Sequence, residues 1–555
     1  MQQADVIVIG AGSAGAVVAS RLSEDALRRV ILIEAGPDTA PGAVPEDIRS
    51  IFPIAYANRN YFWPLTTTFR NGEAPVPFLQ PRVMGGGSSV MGMIALRGLP
   101  HDYRRWEEMG ARNWGWPDVL PTFQAMTNDL DEPAPQRNAR GPNVVRRLPR
   151  QVWPLYMRRL EDAAKARGEA SHENIYATDA DGFFPTPLSH DDERATSARC
   201  YLSQEVRARP NLTIMTGTRA LRIAFDGTRA AGVVIERAGE QQAVAAGEVV
   251  VSAGGIHSPT LLLRSGIGPA DELRKLGIAV VADRPGVGRN YQNHPQLHFA
   301  MALKRNSRMP AQAKHYIMAS HRFSSGVAGG SPGDLFHYYT GRVSPKPFGL
   351  RMAMVACCLY APASRGVVAL RSADPNVPPR VEQGFLSEPL DRQRMIISAR
   401  FAYRLLLDPA VRSCFEEIYL MPRQAPLRLI NGAGLAGLAK AFGAAAVLSA
   451  PAALRRAVIG SAIKPGRLIA DEKHAFPLSD DDILDATGAS FHPTSTCAIG
   501  SADNPLAVVD PECRVYAVEG LRVADASVMP SIVSANTNMP TMMIGERVAE
   551  FIRAA

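Results

Sequence analysis

The 555-residue sequence predicts a protein of mixed class, in which an α/β domain accompanies an α+β domain. Two apolar, β-branched runs that each end in glycines, at 5–10 and 248–255, are typical of buried strands in a parallel sheet. They lie far apart in the chain, so we expect the α/β domain to be discontinuous. Strand-like runs separated by proline-rich turns over 296–425 predict a second domain, of the α+β class.

The length of the chain supports this division, because it exceeds what one hydrophobic core ordinarily serves. We predict that the α/β domain consists of residues 1–150, 196–295 and 486–555. The α+β domain then takes residues 151–195 and 296–485.

The first unit of the chain, 5–36, has the pattern of a strand, a glycine-rich turn, a helix and a second strand. Gly10 makes the tight turn, Gly12 lets backbone N–H groups approach a pyrophosphate, and Gly15 lets the helix pack on the strand. Glu34 ends the second strand and is placed to accept a hydrogen bond from a ribose hydroxyl. The unit therefore predicts a dinucleotide at the helix N-terminus, and by itself it is compatible with NAD and with FAD.

The charge and cysteine content exclude several function classes. The net charge is +8 with an isoelectric point near 9.2, but the basic residues form no stripe, so we do not expect nucleic-acid binding. The six cysteines show no CxxC pair and no Cys/His ligand spacing, which predicts no metal site and no disulfides and favours a cytoplasmic setting. No apolar run reaches about 18 residues, so we expect no transmembrane helix. We also expect no signal peptide, because the first strand and turn occupy residues 5–15.

Irregular and helical stretches separate the strands. Residues 41–80 are rich in proline and aromatics with little periodicity, which predicts a long ordered excursion. The glycines and serines of MGGGSSVMGM (84–93) would let the backbone approach a flat ligand, although such a run can also be a flexible loop. Further patterns predict helices over 100–127, 152–167, 197–207 and 258–265, and antiparallel strands over 212–237 with a turn at Asp226 and Gly227.

The stretch 432–463 stands apart because it is rich in Gly, Ala and Leu and nearly uncharged from Ala441 to Leu454. Close packing of small-residue helices is one interpretation. The other is an apolar flap that makes peripheral contact with a membrane surface or lines a substrate entrance. Pro451 and the short span argue against a bilayer crossing.

The last part of the chain carries the clearest chemical signal. His492 lies in the run Phe491–Pro493, and Asn536 lies in a second polar stretch farther on. The apolar run 521–524 predicts a buried strand that ends on Asp525, beside the first glycine-rich turn. An acid or a backbone amide at that place can meet a bound dinucleotide, and a helix over 542–552 would then close the fold.

These motifs resemble the glucose–methanol–choline family of flavoprotein oxidoreductases. The resemblance runs from end to end and rests on GAGSAG with Glu34, MGGGSSVMGM, SAGGIHSPTLLLRSGIGP, PGVGRNYQNHP and the C-terminal stretch. It implies a Rossmann-like FAD-binding domain, a substrate domain on an antiparallel sheet, and oxidation of an alcohol carbon by hydride transfer to flavin N5. Residues 60–64, 97–103 and 535–538 are most similar to the bacterial 5-hydroxymethylfurfural oxidase and aryl-alcohol oxidase type.

The resemblance assigns the catalytic base to His492 and its partner to Asn536, with Asn538 as the second candidate for the partner. An imidazole has a suitable pKa to accept a hydroxyl proton near neutrality, and an amide can orient the same oxygen without competing for the proton. The expected substrate-pocket residues are Phe491, Met93 and Phe336. The residues expected to bind FAD are Gly10, Gly12, Ser13, Ala14, Gly15, Glu34, Ala35, Trp63, Arg82, Gly86, Gly87, Ser88, Met91, Gly92, Ala220, Ala253, Gly254, Asp525, Ala526, Asn536 and Thr537.

Two features of the glycine-rich loop bear on the flavin. Many relatives have Asn where this chain has Met91, which removes a polar contact and leaves the reactivity with oxygen open. Residues 80–97 contain neither His nor Cys, so we expect FAD to be bound non-covalently.

The sequence therefore predicts an FAD-dependent oxidase of a primary alcohol, aromatic or furanic, that forms the aldehyde and continues to the acid. Its expected partners are the small-molecule alcohol and O2 as electron acceptor. One alternative is a quinone- or dye-linked dehydrogenase of a more hydrophobic alcohol. Others are a lyase or decarboxylase of the same family, and a protein that retains FAD without turnover.

Overall fold

The computed structural model describes residues 3–133, 138–310, 313, 315–346, 348–423, 434–462, 467–471 and 473–555. Two large sheets dominate it, one mainly parallel and one antiparallel, which confirms the predicted mixed class. The mainly parallel sheet takes its strands from 3–251 and 521–523, and the antiparallel sheet from 182–185 and 295–489. The exact domain boundaries stay a prediction.

The mainly parallel sheet forms around the first strand, whose apolar residues are buried from Val6 to Ile9 because neighbouring layers cover both faces. The carboxyl ends of its parallel strands meet at one edge, which brings the glycine-rich turn and the residues after Val251 and Val523 together. In spatial order the strands are Leu212–Met215, Val30–Ile33, Gln3–Ile9, Glu240–Val251, Arg229–Arg237 and Thr218–Asp226, and Leu521–Val523 pairs with Glu240–Val251.

The antiparallel pattern predicted for 212–237 is wrong for its first strand. Leu212–Met215 pairs in parallel with Val30–Ile33, and only Thr218–Asp226 and Arg229–Arg237 form an antiparallel hairpin. Gly217, with φ +59, turns the chain between the two kinds of strand. Alternating apolar residues predict strands but not their partners, which tertiary packing selects.

The predicted helix over 197–207 is two helices. The first ends at Tyr201, and the Ser203 hydroxyl accepts a hydrogen bond from the backbone N–H of Val206 and so caps a new helix. The helices associated with the first sheet are Gly15–Leu22, Glu46–Arg49, Gly87–Val90, Pro100–Glu108, Trp116–Met126, Ser197–Tyr201, Gln204–Arg207, Gly254–Arg264, Ala270–Lys275 and Asn538–Ala554.

The antiparallel sheet has eight strands and carries a second hydrophobic core against its helices. In spatial order the strands are Arg467–Asp471, Phe415–Leu420, Pro295–Leu303, Met352–Leu359, Leu335–Thr340, Ile317–Phe323 and Gly182–Pro185, and Gly488–Ala489 pairs with Pro295–Leu303. The helices of this part are Leu155–Lys165, Pro389–Leu406, Pro409–Arg412, Gly434–Val447, Ala452–Ala462 and Asp480–Ala486.

Smaller elements connect the two sheets. The excursion 41–80 contains a hairpin of Phe62–Thr67 and Val76–Pro81 in addition to helical turns. The other two-stranded pairs are Thr127–Asp129 with Asn143–Val145, Ile267–Gly268 with Ala282–Asp283, and Val367–Ala369 with Arg380–Glu382. The 3₁₀ helices are Ile54–Ala57, Arg59–Tyr61, Arg150–Val152, Ile175–Ala177, Arg305–Ser307, Gly349–Arg351 and Ala526–Val528.

The stretch 432–463 forms two helices where it is described. Gly434–Val447 and Ala452–Ala462 pack against each other, and residues 432, 433 and 463 lie outside the described residues. At 1.5 Å per residue, a helix of the length of Gly434–Val447 falls well short of the roughly 30 Å of a bilayer core. In the described part of the chain, no helix combines the length and the apolar character that a membrane span requires.

Candidate active site

A cavity of about 400 Å³ lies at the carboxyl edge of the mainly parallel sheet. A Cβ on Gly12 would meet no atom within 4 Å, so the turn leaves open space at the start of the first helix. The Nε atom of Arg82 is buried without a partner, and its guanidinium lies 5.2 Å from the centre of the Trp63 ring. An open N-terminal turn with an unsatisfied cationic donor beside it fits the pyrophosphate of a dinucleotide.

Most residues expected to bind FAD line this cavity, but Gly15 does not. A Cβ on Gly15 would come within 1.8 Å of the Gly10 carbonyl oxygen, so Gly15 serves the packing of helix on strand, which is the task that the motif assigns to it. The predicted residues that line the cavity are Gly10, Gly12, Ser13, Ala14, Glu34, Ala35, Trp63, Arg82, Gly86, Gly87, Met91, Ala220, Ala253, Gly254, Asp525 and Ala526.

Two buried carboxylates hold the backbone around the cavity. Glu34 accepts hydrogen bonds from the backbone N–H groups of Ala11 (2.9 Å) and Gly36 (2.7 Å). Burial raises the pKa of Glu34, although these two hydrogen bonds act to lower it. Asp525 accepts from the Gly254 N–H (2.8 Å) and from the Ser258 hydroxyl, and burial raises its pKa as well. Both acids therefore shape the loops at the strand ends.

A second cavity, of about 730 Å³, adjoins the first. Ser13, Gly87, Met91, Phe491 and Thr541 line both, so an elongated ligand can extend from one into the other. The wall of the second cavity is largely apolar and aromatic, with Phe52, Tyr56, Phe69, Phe78, Tyr316, Tyr338 and Met354 among its residues. The predicted residues that line it are Ser13, Gly87, Ser88, Met91, Gly92, Met93, Phe491, His492, Asn536 and Thr537.

His492 and Asn536 meet in this second cavity, with 3.1 Å between His492 Nε2 and Asn536 Nδ2. Asn538 also borders the cavity, but its Oδ1 accepts a hydrogen bond from the Ser13 hydroxyl at 2.7 Å. Of the two candidate amides, Asn536 is thus the one in contact with the imidazole, and Asn538 contacts the glycine-rich turn.

The polar segment 290–294 holds the loops that carry this pair. Asn293 Oδ1 accepts hydrogen bonds from the backbone N–H groups of His294 (2.9 Å) and His492 (3.0 Å). Gln292 Oε1 accepts from the N–H of Ile532 at 3.1 Å, on the loop that leads to Asn536. The QNH part of the PGVGRNYQNHP motif therefore holds the loop of His492 and the loop that leads to Asn536 next to each other.

A chain of hydrogen bonds determines the tautomer of His492. His294 Nε2 lies 3.1 Å from the Val533 carbonyl oxygen, which only accepts, so this nitrogen carries the proton. His294 Nδ1 is then an acceptor, and His492 Nδ1, at 2.9 Å, donates to it. The Nε2 atom of His492 consequently holds a lone pair, to which the Asn536 amide donates.

Burial keeps both imidazoles neutral. It lowers the pKa of His492 to about 4, and it lowers the pKa of His294 well below its usual range, with the neighbouring His492 adding to the effect. Near neutral pH, His492 Nε2 is therefore unprotonated, which is the state that a general base requires.

Tyr360 orients the amide from the other side, because its hydroxyl donates to Asn536 Oδ1 at 2.7 Å. Phe336 does not line the cavity: its ring stacks on Tyr360 with 4.7 Å between centroids, so it lies behind that residue. The expectation that Phe336 is a pocket residue is thus corrected. His294 lies in the motif PGVGRNYQNHP and Tyr360 in the strand-like region 296–425, but no sequence pattern indicated a role for either residue.

Phe491 forms part of the cavity wall between two aromatic neighbours. Its ring centre lies 5.8 Å from that of Tyr56 and 5.8 Å from that of Phe78. Among the described residues, no group of three or more His, Cys, Asp and Glu side chains is arranged to hold a metal ion.

Family models described as GMC oxidoreductase match residues 4–296 and 362–545. The chain therefore belongs to the GMC oxidoreductase family. It is 36% identical to the 5-(hydroxymethyl)furfural oxidase of Methylovorus sp. strain MP688, over 99% of this chain and 98% of that protein. It is 32% identical to the oxygen-dependent choline dehydrogenase of Brucella anthropi, over 99% of this chain and 95% of that protein.

The fold is likewise that of known flavoenzymes. The crystal structure of pyridoxine 4-oxidase from Mesorbium loti superposes with a TM-score of 0.79 at 26% identity, over 100% of this chain and 99% of that one. The protein is an FAD-dependent oxidoreductase that acts on CH–OH groups, and the predicted cofactor is confirmed.

Proposed function

We propose that the protein oxidises a primary alcohol with an aromatic or furanic ring, with His492 as the base. The observation that carries this proposal is the unprotonated Nε2 of His492, which the Asn536 amide contacts at 3.1 Å in a large apolar cavity beside the dinucleotide site. Alcohol oxidation requires a base at the hydroxyl while hydride leaves the carbon, and a neutral imidazole suits that role.

Each side chain has a separate task in this mechanism. FAD, when bound across the two cavities, supplies the hydride acceptor. His492 Nε2 takes the hydroxyl proton of the alcohol, and the Asn536 amide donates to the same oxygen and so stabilises the charge that develops there. His294 and Tyr360 are positioning residues, because they fix the tautomer of His492 and the orientation of the Asn536 amide.

The proposed substrate class follows from the cavity wall. Aromatic rings such as those of Tyr56, Phe78 and Phe491 offer edge and face contacts to a flat ring. The name of the Methylovorus relative refers to a furan alcohol, which supports the furanic class. We propose further that the hydrated aldehyde, which again presents a hydroxyl to His492, is oxidised on to the acid.

We propose O2 as the electron acceptor and non-covalent FAD. Relatives named as an oxidase and as an oxygen-dependent dehydrogenase support the first point. The absence of His and Cys from residues 80–97 supports the second. We also keep the cytoplasmic location as a proposal, supported by six cysteines that are all free thiols, five of them buried.

The second candidate is a quinone- or dye-linked dehydrogenase of a more hydrophobic alcohol. It is favoured by the apolar cavity and by Met91, an apolar side chain that borders both cavities. In that case the reduced flavin would react slowly with air and rapidly with a quinone.

Anaerobic mixing of the purified FAD-loaded protein with aromatic, furanic and aliphatic alcohols tests the proposal, with flavin absorbance as the readout. Bleaching by ring-bearing alcohols, and its absence in His492→Ala, is the expected result. Rapid recovery on readmission of air would identify the oxidase, and recovery only with a quinone the dehydrogenase. If no alcohol bleaches the flavin, a lyase, a decarboxylase or a non-catalytic FAD protein takes the place of the proposed oxidoreductase.

A further inference from the structure

The two helices Gly434–Val447 and Ala452–Ala462 expose an unusual concentration of large apolar side chains. Half of the ten most exposed large hydrophobic residues in the described part of the chain lie on these two helices. They are Leu435 (86% exposed), Leu438 (42%), Phe442 (57%), Leu454 (57%) and Val458 (38%). We refer to these five residues as the apolar face. Scattered exposed leucines are ordinary, but five exposed large apolar side chains on two helices that pack together indicate an interaction surface.

The opposite side of the helices is well packed, so the apolar face does not result from a loosely attached segment. Ala441 and Leu448 are buried in a cluster with Val343 and Met354, two residues that also line the substrate cavity. The helices therefore form an outer layer over one end of that cavity.

A buried ion pair fixes the second helix to the antiparallel sheet. The guanidinium of Arg455 donates to both carboxylate oxygens of Glu417, at 2.5 and 2.8 Å, and forms a further ion pair with Glu416. Such a bidentate pair sets orientation as well as attachment. The helix is thus held against the sheet, while Leu454 and Val458 stay exposed.

The surroundings of the apolar face are basic. Lys440 is the one charged residue of the helix Gly434–Val447, and it is exposed. At the end of that helix, Arg351 donates to the Ser449 hydroxyl. Burial lowers the pKa of the neighbouring Arg308, and the positive charges of Arg351 and Arg305 lower it further, against the opposing effect of Glu416. Arg351 therefore lies at the end of the first helix, with Arg305 and Arg308 near it, and Glu416 is an acid close to Arg308.

We propose that the apolar face binds the surface of an anionic lipid bilayer, with Lys440 and the neighbouring arginines at the level of the phosphate groups. Apolar side chains that enter the headgroup boundary, rimmed by basic residues, are the pattern of a peripheral membrane helix. In a symmetric contact with a second copy, the apolar face would meet the same face of that copy and Lys440 would lie against an apolar or basic surface, whereas a lipid phosphate neutralises it. This inference goes beyond the proposed alcohol oxidation and does not depend on it.

Sedimentation of the FAD-loaded protein with vesicles tests this surface. Binding is expected to vesicles of phosphatidylcholine and phosphatidylglycerol in equal parts, to weaken with added salt, and to be much lower on phosphatidylcholine alone. The double variant Leu438→Glu/Phe442→Glu is expected to lower the partition coefficient at least about tenfold, because two inserted apolar side chains become charged.

The matched controls carry Leu27→Glu and Leu506→Glu, singly and together; the double control adds the same two charges at leucines exposed outside the apolar face. They are expected to bind vesicles as the unmodified protein does, and all variants should retain the visible flavin spectrum and the melting temperature. Failure of the unmodified protein to bind, or equal binding by the double variant, would overturn the proposal. A dimer that the double variant abolishes, without any vesicle binding, would overturn it in favour of a second copy.

Discussion

At the scale of single residues, the site depends on hydrogen bonds that do not involve the reacting atoms. The Val533 carbonyl sets the tautomer of His294, and His294 in turn sets the tautomer of His492. The position of the lone pair on His492 Nε2 therefore depends on a backbone carbonyl that His492 does not itself contact. A histidine with the opposite tautomer would present an N–H to the alcohol and could not act as its base.

Replacement of His294 tests this relay. In His294→Leu, His492 Nδ1 loses its acceptor, and we expect the rate of flavin reduction by the alcohol to fall about 100-fold with little change in substrate affinity. In His294→Gln, one amide can accept from His492 and donate to Val533, so the rate is expected to stay within about tenfold. Stopped-flow absorbance under anaerobic conditions measures both.

The two variants control for each other, because both replace the buried imidazole of His294 and only the Gln variant keeps a hydrogen-bond acceptor for His492. A purely structural role for His294 would lower FAD content and melting temperature in both variants. Equal reduction rates for the Leu and Gln variants would contradict the relay.

Tyr360 provides a second test at this scale. The variant Tyr360→Phe removes the donor to Asn536 Oδ1, and the amide can then rotate so that its oxygen faces His492 Nε2. We expect the reduction rate to fall about tenfold, in line with the loss of one orienting hydrogen bond. Unchanged reduction kinetics in a correctly folded variant would show that Tyr360 does not orient the amide.

At the scale of the structural element, two glycines of the first glycine-rich turn have different roles: one leaves room for a ligand, and the other allows the helix to pack on the strand. Gly12 borders open cavity space, whereas Gly15 lies against the Gly10 carbonyl. The two glycines belong to one motif in the sequence, and only the packing distinguishes their tasks.

The variants Gly12→Ala and Gly15→Ala should therefore fail in different ways. Gly12→Ala places a methyl group where the pyrophosphate would lie, so we expect FAD content to fall while the apoprotein stays folded. Gly15→Ala puts Cβ within 1.8 Å of a backbone oxygen, so we expect loss of the folded protein. The flavin-to-protein absorbance ratio and far-UV circular dichroism measure the two effects. Folded, FAD-loaded Gly15→Ala would contradict the packing argument.

The segment 290–294 shows how an element can act as a template. Its side chains accept from backbone N–H groups of two loops that are far apart in the chain, and these contacts bring His492 to Asn536. Their spacing in the sequence gives no indication of this, because hydrogen-bond partners across loops depend on the tertiary fold.

At the scale of the whole molecule, the buried histidines predict the response to acid. Burial lowers the pKa of His298, His315 and His492 to about 4 and that of His257 to about 3, from an ordinary value of 6.5. As the pH falls below 6.5 the unfolded chain takes up protons that the folded protein does not, so folding stability is lost towards pH 4. The buried carboxyls Glu34, Asp102 and Asp525 have raised pKa values and oppose this effect, but they are fewer.

The melting temperature is therefore expected to be highest above pH 6.5 and to decline steadily from pH 6.5 to about 4.5. Differential scanning fluorimetry at constant ionic strength and saturating FAD would measure it. A melting temperature that is constant or rises over this interval would contradict the neutral state of the buried histidines.

The sequence by itself determined the fold class, the dinucleotide turn and the family, and it predicted the pair His492 and Asn536 that the structure places in contact. These rest on local patterns: apolar runs bury as strands, glycines permit close approach, and the family motifs keep their order. The parallel partner of Leu212–Met215, the break at Ser203 and the place of Phe336 behind Tyr360 were not predictable in this way.

Only the tertiary structure decided which groups act together. It distinguished Asn536 from Asn538, brought His294 and Tyr360 into contact with His492 and Asn536, and packed the helices after residue 433 against residues of the cavity wall. The physical reason is that hydrogen bonds and burial depend on distances between segments far apart in the chain, and a linear pattern does not contain those distances.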